Sequence, residues 1–335
     1  MSSPTIKDVA KLAGVSISTV SRVMNDSKPV SPEARRKVLD AIKKLDFKPN
    51  ELARSLVMRR SNLIGVIVKD IGISYMAEMI RGIEEVGRMY NYDILLSSSY
   101  GDIEQEKKII DFMFTKQVEG IILISEDAKP EVVYMLKNQS IPFIQLDKFY
   151  DYKETYSVMV DYKKASQSMT NFLIEKGHKR ILFVKEYKNA KIGQEKLKGF
   201  KESMSSKGFI PKEITVTGVT DKEGYRYGEE IWQLIEEEKI TAVFFSEDGL
   251  AVGFLNYCYD NNRKVPDEVS VAGFGDIKVA SLYRPRLTTV REPYYDYGAV
   301  AMRKIVKKLK DGVNIDKGTI LPSSIVERET VKKLK

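Results

Sequence analysis

Residues 5–25 of this chain read TIKDVAKLAGVSISTVSRVMN, and this stretch predicts two short helices joined by a tight turn. Thr5 and Asp8 have the spacing of a capping box, which begins a helix. Gly14 can take the left-handed backbone conformation that ends one. An apolar stripe with helical periodicity connects these two signals and consists of Ile6, Val9, Ala10, Leu12 and Ala13.

A second helix follows the turn, and a third braces it. Ser16 can cap the second helix, whose inward side chains are then Val20, Val23 and Met24. Ser31-Pro32-Glu33 gives the third helix a capping serine, a first-turn proline and an acid beside the helix dipole. Two helices that are joined by a glycine-containing turn and braced by a third form a helix-turn-helix.

The outward face of the second helix suits the major groove of DNA. There Arg22 can donate two hydrogen bonds to a guanine, Ile17 can contact a thymine methyl, and Ser18 lies between them. Residues 1–60 contain 13 Lys and Arg against 6 Asp and Glu, whereas the rest of the chain contains 42 against 41. Most of the net charge of +8 therefore lies where it attracts a polyanion. From these residues alone, a three-helix bundle with a solvated polar face is the alternative.

A short linker, residues 50–60, follows the predicted head, residues 1–49. Asn50 can cap a very short helix within the linker, one that would not be stable alone in water. Ala53 and Leu56 lie on one side of this helix. An apolar side chain presented in this way can wedge between base pairs and bend DNA. The alternative is a plain connection between domains.

From residue 63 the chain alternates strand-like and helix-like segments, which predicts an α/β core. Strand-length apolar runs form a first series at 63–68, 92–96, 120–124 and 143–146 and a second at 180–184, 214–216, 242–245 and 269–272. Amphipathic stretches lie between them, near 75–91, 102–117, 129–139, 161–176, 190–206, 222–238 and 247–262. The predicted fold is thus an all-α head on an α/β core of two parallel-sheet lobes, with a ligand cleft between the lobes.

Composition argues against several classes of protein. No stretch approaches the run of about 18 apolar residues that crosses a bilayer, and the N-terminus lacks a signal peptide, so we expect a cytoplasmic protein. A single cysteine, Cys258, and a single histidine, His178, make a zinc site and a Ser-His-Asp relay improbable. We therefore expect neither catalysis nor a cofactor. Cys258 is predicted to be buried, and His178 is predicted to lie in a surface turn.

The head resembles the DNA-binding head of the LacI/GalR family of bacterial repressors. The resemblance rests on TIKDVAKLAGVSISTVSRVMN and on KPNELARSL, residues 48–56. It implies that Ile17, Ser18 and Arg22 read bases, and that paired hinge helices enter the minor groove. It also implies phosphate contacts from Thr5, Ser16, Thr19, Ser21 and Asn25, and hinge contacts from Asn50, Ala53, Arg54 and Leu56.

The core resembles the periplasmic-binding-protein-like core of the same family. The matching fragments are IGVIV, KQVEGIIL, IPFIQLD, EKGHKRILFV, PDEVSVAGFGD and RPRLTTVREPYYDYGAVAM. The resemblance implies crossings between the lobes near residues 161, 291 and 322. The N-lobe would then comprise 61–161 and 292–320, and the C-lobe 162–291 and 323–335. A homodimer is also implied, because paired heads need a two-fold partner on a palindromic operator.

The predicted cleft departs from the pattern of the sugar-responsive members of the family. These have an arginine three residues before a Gly-aromatic pair and an aspartate directly after Gly-Phe, and both groups hydrogen-bond sugar hydroxyls. This chain has Lys196 at the first position and Gly275 at the second, with Asp276 displaced by one residue. Lysine lacks the planar fork of arginine, and glycine has no carboxylate. Other polar candidates for the cleft, equally consistent with helix caps or solvated loops, are Asp147, Asp161, Glu247 and Asp248.

The segment 293–311 predicts an amphipathic helix with a short cationic stripe, and a merely solvated face is the alternative. Asp296, Val300, Arg303 and Lys307 fall within about 60° of one another, opposite Met302, Ile305, Val306 and Leu309. YDYGAVAMRKIVKKL resembles the C-terminal helix of the catabolite control subgroup of the family, and so does GIEEVGRMYNYDILLSSS around Tyr90. In that subgroup these positions hold serine-phosphorylated HPr. The resemblance implies a partner face of Asp70, Glu78, Tyr90, Tyr295, Asp296, Val300, Arg303, Lys304 and Lys307.

Two functions within one class remain open at this point. In the first, a homodimeric regulator acts in carbon catabolite control with serine-phosphorylated HPr as its co-repressor. In the second, an operon-specific repressor responds to a sugar or sugar phosphate in the cleft.

Overall fold

The computed structural model describes residues 4–25, 28–47, 61–125, 129–139, 141–146, 156–186, 191–311 and 318–334. The chain divides into two compact units, Met1–Ser61 and Asn62–Lys335. Several residues with predicted roles lie outside the described residues, namely Asn50, Ala53, Arg54, Leu56 and Asp147.

In the described part of the head unit, three helices pack around a small apolar core. They are α1 (Ile6–Ala13), α2 (Ile17–Asn25) and α3 (Pro32–Leu45). The carboxylate of Asp8 accepts hydrogen bonds from the backbone N–H and the hydroxyl of Thr5, at 2.8 and 2.7 Å. The core consists of Val9, Ala10, Ala13, Val20, Val23, Val38, Ala41 and Phe47.

The helix-turn-helix prediction is confirmed, with one error in the inward face of α1. Gly14 ends α1 at φ 65°, and the hydroxyl of Ser31 accepts the Ala34 N–H at the start of α3. Leu12, in contrast, is 50% exposed. Its position lies well to the side of the stripe formed by Val9 and Ala13, because each residue advances the helix by about 100°.

The first sheet of the second unit is parallel throughout. Its strands are β1 (Leu63–Val68), β2 (Asp93–Ser98), β3 (Gly120–Ile124), β4 (Phe143–Leu146), β5 (Tyr156–Val160) and β11 (Gly318–Leu321), in the order β11-β5-β4-β3-β1-β2. Its helices are α4 (Met76–Met89), α5 (Ile103–Thr115), α6 (Pro130–Asn138) and α13 (Tyr294–Asp311). Strand β3 is buried along its whole length, as expected for a sheet that is covered on both faces.

The second sheet is parallel except at one edge, where its last strand runs antiparallel to its neighbour. Its strands are β6 (Ile181–Glu186), β7 (Lys212–Val216), β8 (Ala242–Phe245), β9 (Ser270–Gly275), β10 (Thr288–Arg291) and β12 (Ser324–Val326), in the order β12-β10-β9-β8-β6-β7. Its helices are α7 (Tyr162–Glu175), α8 (Lys191–Ser206), α9 (Asp221–Arg226), α10 (Gly228–Glu238), α11 (Asp248–Asp260) and α12 (Lys278–Leu282).

The chain passes between the two sheets at three places in the described sequence. It leaves the first sheet after β5, returns after β10 to form α13, and leaves again between β11 and β12. Each lobe is therefore completed by segments that are distant in sequence. The fold class of two parallel-sheet lobes is confirmed, whereas the residue limits of the lobes remain a prediction.

The helix predicted over 222–238 is wrong as a single element, because α9 ends at Arg226 and α10 begins at Gly228. Gly228 lies so close to the Tyr257 ring that a Cβ atom there would be 2.1 Å from Cγ. The break between α9 and α10 thus lies where Gly228 packs tightly against Tyr257 of α11.

His178 is fully buried, so its predicted place on the surface is wrong. Its Nε2–H donates to the Lys332 carbonyl at 3.0 Å, and Nδ1 lies 3.0 Å from the Thr241 hydroxyl. The residues after β12 fold over this turn, where the Leu334 N–H donates to the Lys176 carbonyl at 2.8 Å. Burial lowers the pKa of His178.

The prediction that Cys258 is buried is confirmed, and burial raises its pKa to about 12.

Helices α4 and α13 meet backbone to backbone through two glycines. A Cβ atom on Gly82 would lie 2.1 Å from the Tyr295 carbonyl oxygen, and one on Gly298 would lie 1.9 Å from the Met79 carbonyl oxygen. Because any side chain would separate the helices, this crossing depends on both glycines.

Gly298→Ala should therefore destabilise the protein by about 1–3 kcal/mol, as overpacking in a rigid contact usually does. The matched control is Gly193→Ala in α8, where a Cβ atom would meet nothing within 4 Å. That change should stabilise the protein by roughly 0.5–1 kcal/mol through helix propensity. Urea unfolding of the three proteins measures both effects, and equal stabilities would contradict the close contact.

The buried His178 should make stability depend on pH. In the unfolded chain its pKa is about 6.5, and burial lowers the folded value, so on acidification the unfolded state takes up a proton first. The free energy of unfolding should therefore fall more between about pH 7.5 and about pH 5.5 for the wild type than for His178→Gln. Urea titrations at both pH values test this. Parallel losses in the two proteins would show that His178 does not contribute.

Candidate nucleic-acid interface and interlobe cleft

The outward face of α2 carries the residues predicted to contact bases. Ile17, Ser18 and Arg22 are all exposed, whereas Val20 and Val23 on the opposite side are buried. Ile17 is 44% exposed. The structure thus brings an apolar, a hydroxyl and a guanidinium group onto one face, the combination needed to contact base edges.

Hydroxyl groups cluster at the N-terminal end of α2. The Ser16 Oγ lies 2.7 Å from the Ser18 Oγ and 2.9 Å from the Thr19 Oγ1, and it accepts the Thr19 N–H at 3.2 Å. A helix N-terminus with hydroxyl donors suits a phosphate. Thr5 is exposed, Ser21 is half-buried, and Asn25 is the last residue of α2.

Lys196 lies inside the second lobe with only 1% of its surface exposed. Its ammonium donates to the Ser246 carbonyl at 2.9 Å and to a Glu247 carboxylate oxygen at 2.8 Å. It also lies 3.9 Å from the centroid of the Phe274 ring, a cation–π contact. The lysine that stands in the place of a sugar-binding arginine is therefore engaged with groups of its own lobe.

Asp276 is likewise engaged with neighbouring side chains. One carboxylate oxygen lies 2.6 Å from Arg291 Nε and the other 2.5 Å from an Arg328 guanidinium nitrogen. Asp276 thus joins the ends of β9 and β10 to Arg328, in the segment that follows β12. The Asp276 carboxylate thus connects these three segments through two ion pairs.

The remaining acidic candidates have different surroundings. Asp248 is buried and accepts hydrogen bonds from the Thr289 hydroxyl at 2.6 Å and the Ile277 N–H at 2.9 Å. Burial raises the pKa of Asp248 to about 7 despite these two donors. Asp161 is exposed and caps α7 by accepting the Lys164 N–H at 2.9 Å.

A tyrosine cluster between the lobes was not predicted. The hydroxyl of Tyr162, at the start of α7, lies 3.1 Å from the Tyr297 hydroxyl of α13 and donates to the Glu292 carboxylate at 3.1 Å. The Tyr294 hydroxyl donates to the other Glu292 oxygen at 3.2 Å, and its ring stacks on Tyr75. These residues come from three separate segments, so no local pattern in the sequence could reveal the cluster.

The side chain of Tyr294 also fills part of the space beside Gly275. A Cβ atom on Gly275 would lie 3.1 Å from the Tyr294 hydroxyl oxygen, so a longer side chain there would require Tyr294 to move. The place where sugar-responsive relatives carry an aspartate is therefore partly occupied by Tyr294.

The exposed side of α13 carries the predicted partner face. Asp296, Arg303 and Lys307 are exposed, Val300 and Lys304 are half-buried, and Met302, Ile305 and Val306 on the other side are buried. The Tyr295 hydroxyl donates to Glu85 of α4 at 2.8 Å, and Arg81 lies over its ring at 5.3 Å.

The other members of this face lie on or near α4. Glu78 pairs with Arg81 at 2.6 Å, and Tyr90 has the ammonium of Lys310 over its ring at 5.0 Å. Asp70 accepts the Gly72 N–H at 2.8 Å in the turn before α4.

Two further observations concern the part of the chain that the structure describes. None of its helices combines the length and the apolar character needed to span a membrane. Its His, Cys, Asp and Glu side chains form no group of three that could hold a metal ion.

Comparison with known proteins agrees with a helix-turn-helix head followed by a two-lobed core. The lacI family of bacterial regulatory proteins matches residues 5–50, and the periplasmic binding protein-like domain matches residues 170–331. The HTH-type transcriptional regulator RegA of Clostridium saccharobutylicum is 36% identical over 329 residues, 97% of this chain and 98% of the relative. Catabolite control protein A of Priestia megaterium is 36% identical over 332 residues, 98% of this chain and 99% of the relative.

Solved structures show the same fold. A lac repressor dimer bound to operator and the anti-inducer ONPF has a TM-score of 0.88 at 23% identity and covers 99% of this chain and 100% of its own. CcpA of Lactococcus lactis has a TM-score of 0.72 at 27% identity and covers 82% of this chain and 100% of its own. The expectation of a regulator rather than an enzyme is confirmed, since these relatives regulate transcription. The chain belongs to the lacI family of bacterial regulatory proteins and is a DNA-binding transcription regulator.

Proposed function

We propose that the chain is a cytoplasmic, homodimeric repressor, with a dual role at some sites, that acts in carbon catabolite control. It binds a palindromic operator and takes serine-phosphorylated HPr as its co-repressor. The observation that carries this proposal is the exposed cationic stripe of α13, which is held against α4 by a backbone contact. The similarity to catabolite control protein A over nearly the whole chain supports it.

The head supports sequence-specific recognition. The N-terminal half of α2 presents Ile17 and Ser18, and Arg22 follows on the same exposed face. In this arrangement Arg22 reads a guanine, Ile17 contacts a thymine methyl, and the hydroxyls of Ser16 and Thr19 bind phosphates. A two-fold dimer would place two such helices on the two halves of a palindrome.

The α13 stripe supports a phosphorylated partner. In the described part of the chain, Arg303 and Lys307 form no ion pair with a carboxylate, so their charges are available to an incoming anion. A phosphoserine adds nearly two negative charges and three acceptor oxygens. Hydrogen bonds of this kind are worth about 1.5–3 kcal/mol each. Tyr295 and Lys304 flank the stripe.

The cleft gives less support to a neutral sugar as the effector. Lys196 and Asp276 already bind partners inside the protein, and Tyr294 partly occupies the space beside Gly275. A sugar would have to displace these contacts to use the same positions, at the cost of leaving buried groups unpaired. The phosphoprotein is therefore preferred to the sugar.

Arg22→Ala should weaken operator binding by about 1–3 kcal/mol and relax the preference for one guanine in each half-site. Fluorescence anisotropy with operators substituted at each position measures both effects. The matched control is Arg36→Ala, which removes an exposed charge from α3 of the same head. Equal losses on operator and on random DNA for Arg22→Ala would show that Arg22 contacts only phosphate.

Replacing Arg303 and Lys307 together by alanine should remove the preference for serine-phosphorylated over unphosphorylated HPr. Their charge-assisted hydrogen bonds exist only with the phosphate present, and each is worth roughly one to two decades of affinity. Operator binding by the free dimer should not change, because the heads are untouched. Calorimetry with both forms of HPr makes the measurement.

A matched double variant, Lys198→Ala with Lys207→Ala, removes two exposed charges elsewhere and should keep the preference. The proposed co-repressor is wrong if the Arg303 and Lys307 variant binds serine-phosphorylated HPr as tightly as the wild type does.

A further inference from the structure

Three hydroxyl groups at the start of α2 are linked in one hydrogen-bonded cluster. The Ser16 Oγ lies 2.7 Å from the Ser18 Oγ and 2.9 Å from the Thr19 Oγ1. Both distances are those of O–H···O hydrogen bonds, and in each bond the hydrogen can come from either oxygen. The direction of these bonds decides whether the exposed Ser18 presents a hydrogen or only lone pairs to DNA.

The supply of hydrogens in this cluster is limited. A hydroxyl has one hydrogen to donate and two lone pairs that accept. The Thr19 N–H donates to the Ser16 Oγ at 3.2 Å, so it occupies a lone pair of Ser16 and leaves the hydroxyl hydrogens as they are. The two bonds between the hydroxyls use two of the three hydrogens, and only one hydrogen is left for DNA.

Each way of donating a hydrogen from Ser16 or Thr19 to a phosphate leaves Ser18 without a free one. If Thr19 alone donates to the phosphate, Ser16 must donate to Thr19, and Ser18 must donate to Ser16. If Ser16 donates to a phosphate, its bond to Ser18 needs the Ser18 hydrogen, whether Thr19 donates to Ser16 or to a phosphate of its own. With both bonds kept, Ser18 can therefore donate to a base only when Ser16 and Thr19 donate no hydrogen to DNA.

The charge of the phosphate favours a hydrogen bond from Ser16 or Thr19 to the DNA backbone over one from Ser18 to a base. Hydrogen bonds to an ionised acceptor are roughly twice as strong as those between neutral groups, and a base edge is neutral. Hydrogen bonds in a chain also polarise one another. Because Ser18 is the first donor of a chain that ends on the phosphate, its oxygen becomes a better acceptor.

We propose that Ser18 reads a base only as a hydrogen-bond acceptor, and that Ser16 is the positioning residue that fixes this polarity. The inference rests on the phosphate and base contacts proposed above for α2. In the major groove, adenine and cytosine present amino donors, whereas guanine and thymine present oxygen acceptors. Ser18 therefore selects adenine or cytosine at its position on one strand and disfavours thymine or guanine there, because their oxygens would face its own oxygen.

Operators with modified bases test the polarity of Ser18 in the full chain. An operator is first selected from random palindromic DNA with the wild type. The base pair that Ser18 reads is the one at which Ser18→Ala loses its preference. In one modified operator the adenine or cytosine of this pair lacks its exocyclic amino group. In a second, the purine of the pair is a 7-deazapurine, which lacks the N7 acceptor.

The wild type should bind the operator without the amino group about three- to tenfold more weakly, as the loss of one neutral hydrogen bond predicts. It should bind the 7-deaza operator within about twofold of the parent operator. Ser18→Ala should show neither difference, which controls for effects of the modified bases on DNA itself. Fluorescence anisotropy measures all of these affinities.

Ser16→Gly tests the positioning role. Glycine is tolerated at the N-cap, so α2 should still form. Without the Ser16 oxygen, Ser18 regains a free hydrogen and can donate to a neighbouring acceptor of the base pair. The penalty for the missing amino group should therefore fall below about twofold, whereas Ser16→Thr keeps the hydroxyl and should keep the penalty.

Thr5→Val is the matched control for Ser16→Gly. It removes a hydroxyl that is also predicted to bind phosphate but that is bonded to Asp8 instead of Ser16. This variant should weaken binding to all operators by the same factor and leave the penalty for the missing amino group unchanged.

Three results would overturn the inference. The first is a wild type that is weakened by the 7-deaza base and not by loss of the amino group, since Ser18 would then be a donor. The second is a Ser18→Ala variant that changes the preference at no base pair, and the third is a full penalty in Ser16→Gly. A wild type that binds selected and random DNA alike would contradict the proposed function of the head, and the inference with it.

Discussion

The backbone contact between α4 and α13 is the constraint on which the first lobe depends. Gly82 and Gly298 let the two helices approach until each backbone touches the other. Helix α13 comes from late in the chain, and its buried side packs onto the first sheet through Met302, Ile305 and Val306. The same helix presents the cationic stripe outward and brings Tyr294 and Tyr297 to the cleft. The close crossing of α4 and α13 thus positions the buried side of α13 in the core of the first lobe. It also positions the cationic stripe on the surface and the two tyrosines at the boundary between the lobes.

The cleft is built mainly from groups that satisfy one another. Tyr162, Glu292 and Tyr297 form a buried hydrogen-bonded set, and Lys196 and Glu247 form an ion pair beside it. Polar groups that are buried and fully paired favour one arrangement, because any other arrangement leaves some of them without partners.

The sequence predicted the head well because its signals are local. The caps at Thr5 and Ser31, the turn at Gly14 and the periodic core each depend on a few neighbouring residues. The core strands were predicted where apolar runs are long, but β5, β10, β11 and β12 were not identified. These strands have only three to five residues each, and β11 in addition pairs with β5, which lies far earlier in the chain. His178 was misplaced for the same reason, since its partner Lys332 is distant in sequence. In the cleft, Lys196 and Asp276 were identified as candidates, but their engagement with Glu247, Arg291 and Arg328 could be seen only in three dimensions.

The order of the strands has a consequence for how the chain folds during synthesis. The first sheet needs β11 for its edge and α13 for its cover, and the second sheet needs β12, yet all three are made among the last residues. The ribosome releases the head first, at about 5–20 residues per second, and the head has its own complete core. Neither lobe can close until nearly the whole chain has emerged. A nascent polypeptide of this design can thus carry a finished DNA-recognition unit while its regulatory portion is still open and exposes apolar strands to chaperones.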